Sequence, residues 1–273
     1  MSYFSKKGFT LIELLVVISI MSALSSVVFA SLSTARDKAK IAAGQTFSGQ
    51  MYRALGAEAI GVWGFDEPSG NAFDTSGNNI NLVFNGGVTR QSDTPVKRGS
   101  SVYFDGAAGS YLLNPATSAS YAYTQSSMTA GLWIKPVNLI GTGDGVIVVN
   151  SYPVRTVNFH LYPTGILAGP CSGWQLFPYT LKLNEWQHIA YSYLGGEIYL
   201  YVNGKLIDKK VATGACDITA NPVSQIMVAR YIGGGYNYTG YVDDVGIYTR
   251  ALSASEVYRV FARSAPEYGV AVR

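Results

Sequence analysis

The chain has 273 residues and a formal net charge of +3; 48% of its residues are hydrophobic and only 14% are charged. Such a composition excludes an intrinsically disordered chain, and the lack of any basic block beyond Lys6-Lys7 excludes an electrostatic nucleic-acid binder. The length allows one large or two small domains, and 20 tyrosines and 30 glycines beside so few charges point to a β-rich protein working outside the cytoplasm.

The first element is apolar. From Phe9 to Ala35 the only charged side chain is Glu13. As a helix this stretch runs roughly 40 Å at 1.5 Å per residue, enough to cross a ~30 Å hydrocarbon core with tilt. Lys6 and Lys7 on its near side predict a cytoplasmic amino end. A secretory signal would be shorter and end at a small-residue cleavage site, whereas Val28-Phe29-Ala30 runs on into more helix-compatible sequence. A carboxylate at bilayer depth costs about 2.5–3.5 kcal/mol, so Glu13 needs a partner or must snorkel to the membrane face. Beyond the charged Arg36-Asp37-Lys38-Ala39-Lys40, Phe47, Met51 and Leu55 fall on one helical stripe, interrupted by Gly44, Gly49 and Gly56.

The stretch Lys7-Gly8-Phe9-Thr10-Leu11-Ile12-Glu13-Leu14-Leu15 resembles the prepilin signal of type IV pilins and type II secretion pseudopilins. The resemblance implies cleavage by a prepilin peptidase between Gly8 and Phe9, N-methylation of Phe9, and assembly through Glu13, whose carboxylate meets the amino-terminal ammonium of a neighbouring subunit. Cleavage would remove Lys6 and Lys7 and no acid, lowering the net charge from +3 to +1. Many type IV pilins carry a proline in this helix; here none precedes Pro68.

After Gly61 the texture changes to short β-like runs between glycine- and asparagine-rich turns. Ser101–Phe104, Gly145–Val149 and Glu197–Val202 are examples, and Asn203-Gly204 opens a tight hairpin into Lys205-Leu206-Ile207. The spacing argues for an all-β sandwich rather than βαβ units. Cys171 and Cys216 lack CxxC spacing. Outside the cytoplasm a disulfide between them is the expectation, closing a loop that contributes on the order of 4 kcal/mol in the chain-entropy account; two buried thiols are the alternative.

Five motifs then occur in order: Gly61-Val62-Trp63-Gly64-Phe65-Asp66-Glu67 with Asp74-Thr75-Ser76-Gly77-Asn78; Val102-Tyr103-Phe104-Asp105-Gly106; Gly131-Leu132-Trp133-Ile134; Trp186-Gln187-His188-Ile189-Ala190 with Leu200-Tyr201-Val202-Asn203-Gly204; and Gly240-Tyr241-Val242-Asp243-Asp244-Val245-Gly246-Ile247-Tyr248. Together they resemble a laminin-G-like domain of the concanavalin A-like lectin/glucanase superfamily. The implied fold is a long N-terminal α-helix plus an all-β, two-sheet antiparallel jelly-roll sandwich. The expected organisation is a leader at 1–8, a pilin-like helix at 9–60 with 9–35 in the membrane or filament core, a head at 61–265 and a tail at 266–273.

Catalysis is not expected. No Glu-x-Asp-x-Glu run places paired acids on one strand face, and Asp243-Asp244, being adjacent, should point to opposite faces. His188 reads as a packed ring. Binding is the expected role. Asp66, Asp74, Asn78, Asp243 and Asp244 offer hard oxygen donors for Ca²⁺, with Asp74 and Asn78 most simply read as turn residues bonding their own backbone. Trp174, Tyr236 and Tyr238 are candidate sugar-stacking rings, with ordinary packing as the alternative. The leading expectation is a filament subunit displaying an adhesive head, anchored in the inner membrane before assembly and extracellular afterwards. Its expected partners are copies of itself or other pilins, the prepilin peptidase and a glycan or matrix ligand. The alternatives are a pseudopilin of a secretion or DNA-uptake machine and a membrane-anchored sugar-binding protein that never polymerises.

Overall fold

The computed structural model describes residues 10–22, 24–26, 28–29, 32, 55, 58–97, 99–115, 127–140, 144–151, 154–170, 173–213, 225–230 and 237–263. The chain falls into two units, divided between Tyr52 and Arg53.

The first unit opens with a helix, α1, at residues 11–22, and residues 24–26, 28–29 and 32 are helical as well. Thr10 and Glu13 start it as a capping box. The Thr10 amide and hydroxyl both donate to Glu13 Oε2 at 2.8 Å, and the Glu13 amide returns to Thr10 Oγ1 at 3.4 Å. Ser19 and Ser22 donate to the carbonyls one turn back, at 2.7 Å each, so neither hydroxyl needs water. Every described residue of this segment is exposed, with Leu11, Ile12 and Phe29 at 84%, 72% and 71%. No helix among the described residues is long and apolar enough to cross a membrane. The span expected at 9–35 runs outside the described residues, as does most of the stripe Phe47-Met51-Leu55 and the cleavage site Gly8-Phe9.

The second unit is a two-sheet sandwich. Among its described residues eight strands form the larger sheet, in the order β13 (Lys205–Val211), β12 (Glu197–Val202), β11 (Gln187–Leu194), β6 (Ser127–Asn138), β15 (Thr239–Tyr248), β4 (Ser101–Asp105) and β3 (Thr89–Gln91), with β1 (Ala59–Trp63) also paired to β15. Seven form the second: β10 (Gln175–Pro178), β9 (Gly165–Gly169), β8 (Val154–Tyr162), β7 (Asp144–Ser151), β14 (Gln225–Val228), β5 (Tyr111–Leu113) and β2 (Val83–Asn85). Every pairing is antiparallel. This is the expected jelly-roll sandwich behind an N-terminal helix.

Between the sheets lie Trp63, Phe65, Phe104, Leu132, Phe159, Tyr191, Leu200 and Val242, all fully buried. The alternation that buries them is plain in β8, where Val157, Phe159 and Leu161 face the core and Asn158 and His160 face away. The Asn203-Gly204 turn forms as expected. Both residues have positive φ, 48° and 71°, and a Cβ on Gly204 would press on Phe261 and Tyr258. Those two rings belong to α2 (Ala254–Arg263), whose own capping box joins Ser253 to Glu256. Phe261 packs on Trp133. The start and end of the sandwich are tied together by Arg250, which holds Glu58 through Nε and Glu256 through a two-pronged contact of 2.8 and 2.9 Å.

Candidate functional site

Glu13 is the one charged group on the apolar α1, and its carboxylate is already held by its own chain through Thr10. The Thr10 amide lies on the retained side of the Gly8–Phe9 bond, so cleavage there leaves this bond intact. The second carboxylate oxygen of Glu13 takes no part in the box. Sequence reasoning found the acid but not its local partner, although Thr-x-x-Glu at a helix start was a legible signal.

The five residues read as calcium donors divide in two. Asp74 is a turn organiser: its carboxylate accepts from the amides of Val62, Ser76 and Ile80 at 3.0, 2.8 and 3.1 Å and from the Ser76 hydroxyl at 2.8 Å. Asn78 donates to the carbonyls of Ala59 and Ile60 at 2.7 and 3.0 Å. Both therefore act as turn residues, the alternative reading for this pair. Asp66, Asp243 and Asp244 do come together. Asp66 Oδ1 accepts from the Ser100 amide at 2.8 Å, and its carboxylate occupies the space a side chain on Gly99 would need. The position of a Cβ on Gly64 lies 3.6 Å from Asp244 Oδ1 and 3.9 Å from Asp66 Oδ2.

A bulge in β15 makes this possible. Register shifts between Asp243 and Gly246, Asp244 takes φ 44°, and its amide donates to Asp243 Oδ1 at 2.9 Å. The irregularity interrupts the strand's alternation, yet the two side chains still differ in surroundings: Asp243 is buried and Asp244 exposed. Burial, then the charges of Asp244 and Asp66, push the Asp243 carboxyl well above the usual range. Even so, no three His, Cys, Asp or Glu side chains among the described residues converge closely enough to hold a metal ion as they stand.

Of the candidate sugar rings, Tyr238 is fully buried, edge-on to Phe104 and donating its hydroxyl to the Tyr241 carbonyl at 3.0 Å. It is a core residue, not a stacking platform. Trp174 is half-buried, with its ring 6.5 Å from that of His160 on the outward side of β8. Tyr236 lies outside the described residues, as do Cys171 and Cys216.

The sequence reading missed a row of rings on the open face of the larger sheet. Tyr103 pairs across from Tyr241, and Tyr241 from Lys135. The two tyrosine rings are 4.9 Å apart, Trp186 lies 6.1 Å from Tyr241, and Lys135 Nζ sits 5.3 Å from the Tyr241 ring. Asp93 binds Trp186 Nε1 at 3.0 Å and Lys135 Nζ at 2.5 Å. Only strand register, invisible in the sequence, brings these positions together. Further along that face, His188 is a packed ring as expected, set edge-on to Trp133 and held by burial near pKa 3, hence neutral.

The geometry defines a two-sheet antiparallel sandwich, preceded in the chain by an apolar, carboxylate-capped helix. The comparisons agree. The profile of the concanavalin A-like lectin/glucanases superfamily matches residues 105–258, more than half of the chain, and the chain belongs to that superfamily. The prokaryotic N-terminal methylation motif, the type IV pilin signal, matches residues 4–29. No curated protein sequence matches the chain. Among solved structures, the binding domain of Paraclostridial Mosquitocidal Protein 1 superposes with a TM-score of 0.60 at 20% identity, over 76% of this chain and 52% of that one. The Botulinum neurotoxin serotype G binding domain gives 0.61 at 15% identity, over 74% and 50%. The chain thus spans about half the length of these two toxin domains. Domain 4 of AbnA, a GH43 extracellular arabinanase from Geobacillus stearothermophilus, was solved in complex with arabinotriose; it gives 0.56 at 19% identity, over 74% of this chain and 98% of that domain.

Proposed function

We propose that this chain is a type IV pilin-like filament subunit that assembles through its N-terminal helix and displays the sandwich as a glycan-binding, non-enzymatic head. The observation that carries the reading is the union, in one chain, of the methylation motif and a concanavalin A-like domain. An apolar helix exposed on all its described sides supports it, because such a surface needs lipid or neighbouring helices to cover it. In the membrane the helix anchors the subunit; in the filament, the free oxygen of Glu13 meets the ammonium of the next subunit while Thr10 holds the other. The solved arabinanase domain with its bound arabinotriose supports a saccharide as the class of ligand, and in this reading Trp174, half-buried beside His160, is the ring that stacks on it. Calcium belongs to this reading through Asp66, Asp243 and Asp244, whose oxygens suit a hard cation and whose mutual repulsion a cation would relieve.

Mass spectrometry of the chain recovered from its own cell surface tests the assembly half. The expected amino terminus is methylated Phe9; retention of Met1–Gly8 contradicts it. A pseudopilin would leave surface filaments intact when the gene is deleted, and a non-polymerising anchor would be indifferent to Glu13→Ala.

A further inference from the structure

Arg230 stands where β14 ends. The preceding residue, Ala229, is fully buried and in the left-handed region at φ 69°, a conformation that costs an alanine energy and is kept only where the surroundings impose it. This step breaks the alternation of β14 and brings the Arg230 guanidinium over the ring of Tyr111 in β5, with Cζ 4.6 Å from the ring centre. The ring holds the guanidinium plane without using any of its five N–H donors. The buried Nε has no hydrogen-bond partner, and among the described residues no carboxylate pairs with Arg230. Other arginines of the head are treated differently: Arg90 binds Glu67, and Arg250 binds Glu58 and Glu256. The stretch that follows, Tyr231-Ile232-Gly233-Gly234-Gly235-Tyr236, contains no acid either.

A half-buried guanidinium whose outer N–H groups no described side chain pairs is an incomplete fork, and a carboxylate fits such a fork in two-pronged fashion. The position says what carries that carboxylate. Tyr111 flanks the core residue Leu112 and so faces outward from the second sheet, as does His160 between the core residues Phe159 and Leu161. Arg230, Tyr111, His160 and Trp174 therefore serve one face of one sheet. We infer that Arg230 and Tyr111 form an acid-recognising subsite for a carboxylate-bearing saccharide, a uronic or sialic acid residue, on the face where Trp174 stacks a neutral ring. This inference rests on the glycan-binding reading above.

The test uses the full chain in detergent, titrated with polygalacturonate and sialyllactose and, in parallel, with neutral galactan and lactose. An acidic member of either pair should bind at least ten-fold more tightly than its neutral counterpart. Arg230→Gln should remove that preference while leaving neutral-sugar binding in place, and Arg230→Lys should restore only part of it, since a point charge lacks the fork. Lys205→Gln, on the edge strand of the other sheet, should change nothing. Equal binding of acidic and neutral sugars, or an equal loss in Lys205→Gln, overturns the subsite while sparing the glycan reading. Absence of binding to all four probes overturns both. A melting curve for each variant separates misfolding from lost recognition, and Tyr111→Leu, which removes the ring beneath the guanidinium, gives an independent route to the same loss.

Discussion

Thr10 and Glu13 close on each other: one carboxylate oxygen takes both the amide and the hydroxyl of Thr10, while the Glu13 amide points back to the Thr10 oxygen. The acid is thus oriented at the helix start by its own chain, and its second oxygen takes no part in the box. Two variants separate these roles. Glu13→Ala should abolish incorporation into filaments while leaving membrane insertion intact. Thr10→Val, which costs only the cap of about 1 kcal/mol, should reduce filament yield a few-fold. Quantifying sheared surface filaments against total membrane-bound subunit reads both.

The head should lose stability in mild acid. Burial holds His188 near pKa 3, whereas in the unfolded chain it titrates near 6.5. The unfolded state therefore binds the proton first, and stability falls as pH drops below 6.5, by about 2 kcal/mol at pH 5. His188→Phe should flatten the denaturant midpoint between pH 6.5 and 4.5. Asp243 acts in the opposite sense: its raised pKa makes the native state the better proton binder, so it stabilises at low pH. Comparison with His188→Phe isolates the histidine.

Arg250 should be the most sensitive charged residue of the head. Its guanidinium holds Glu256 near pKa 2, and the Glu256 contribution is present above about 4.5 and lost as pH falls toward 2. It also ties the first strand, through Glu58, to the last helix. Arg250→Met should destabilise the head by roughly 1–3 kcal/mol at neutral pH by leaving half-buried carboxylates without a donor, and the difference should shrink at pH 2. Chemical denaturation at the two pH values measures it.

Calcium should raise the melting temperature by roughly 5–10 °C at a hundred-fold excess over Kd, and Asp243→Asn should remove the shift. Asp74→Asn should weaken the fold but keep the calcium response, since Asp74 serves backbone amides rather than the acid cluster. No shift with calcium in the unaltered chain counts against a cation at Asp66, Asp243 and Asp244.

What the sequence made legible was local. The Asn203-Gly204 turn declares itself because few other pairs accept positive φ twice, and the run Glu197–Val202 forms β12 as its residues suggest. The capped helix and the order of the sandwich motifs were equally readable. What stayed hidden depends on register and burial. Tyr238 looks like a loop tyrosine until the fold seals it against Phe104. Asp243 and Asp244 look like plain strand neighbours until a bulge seats the Asp244 amide on the Asp243 carboxylate. The ring row Tyr103, Tyr241 and Trp186 joins residues more than fifty positions apart, which no spacing rule connects.

Cryo-electron microscopy of filaments sheared from the producing cell tests the central claim most directly. The account predicts this chain within the fibre, its α1 helices bundled along the axis, Glu13 facing the amino terminus of an adjoining subunit, and the sandwich displayed outside. Filaments built from other chains alone, with this one recovered only from the membrane, would contradict it.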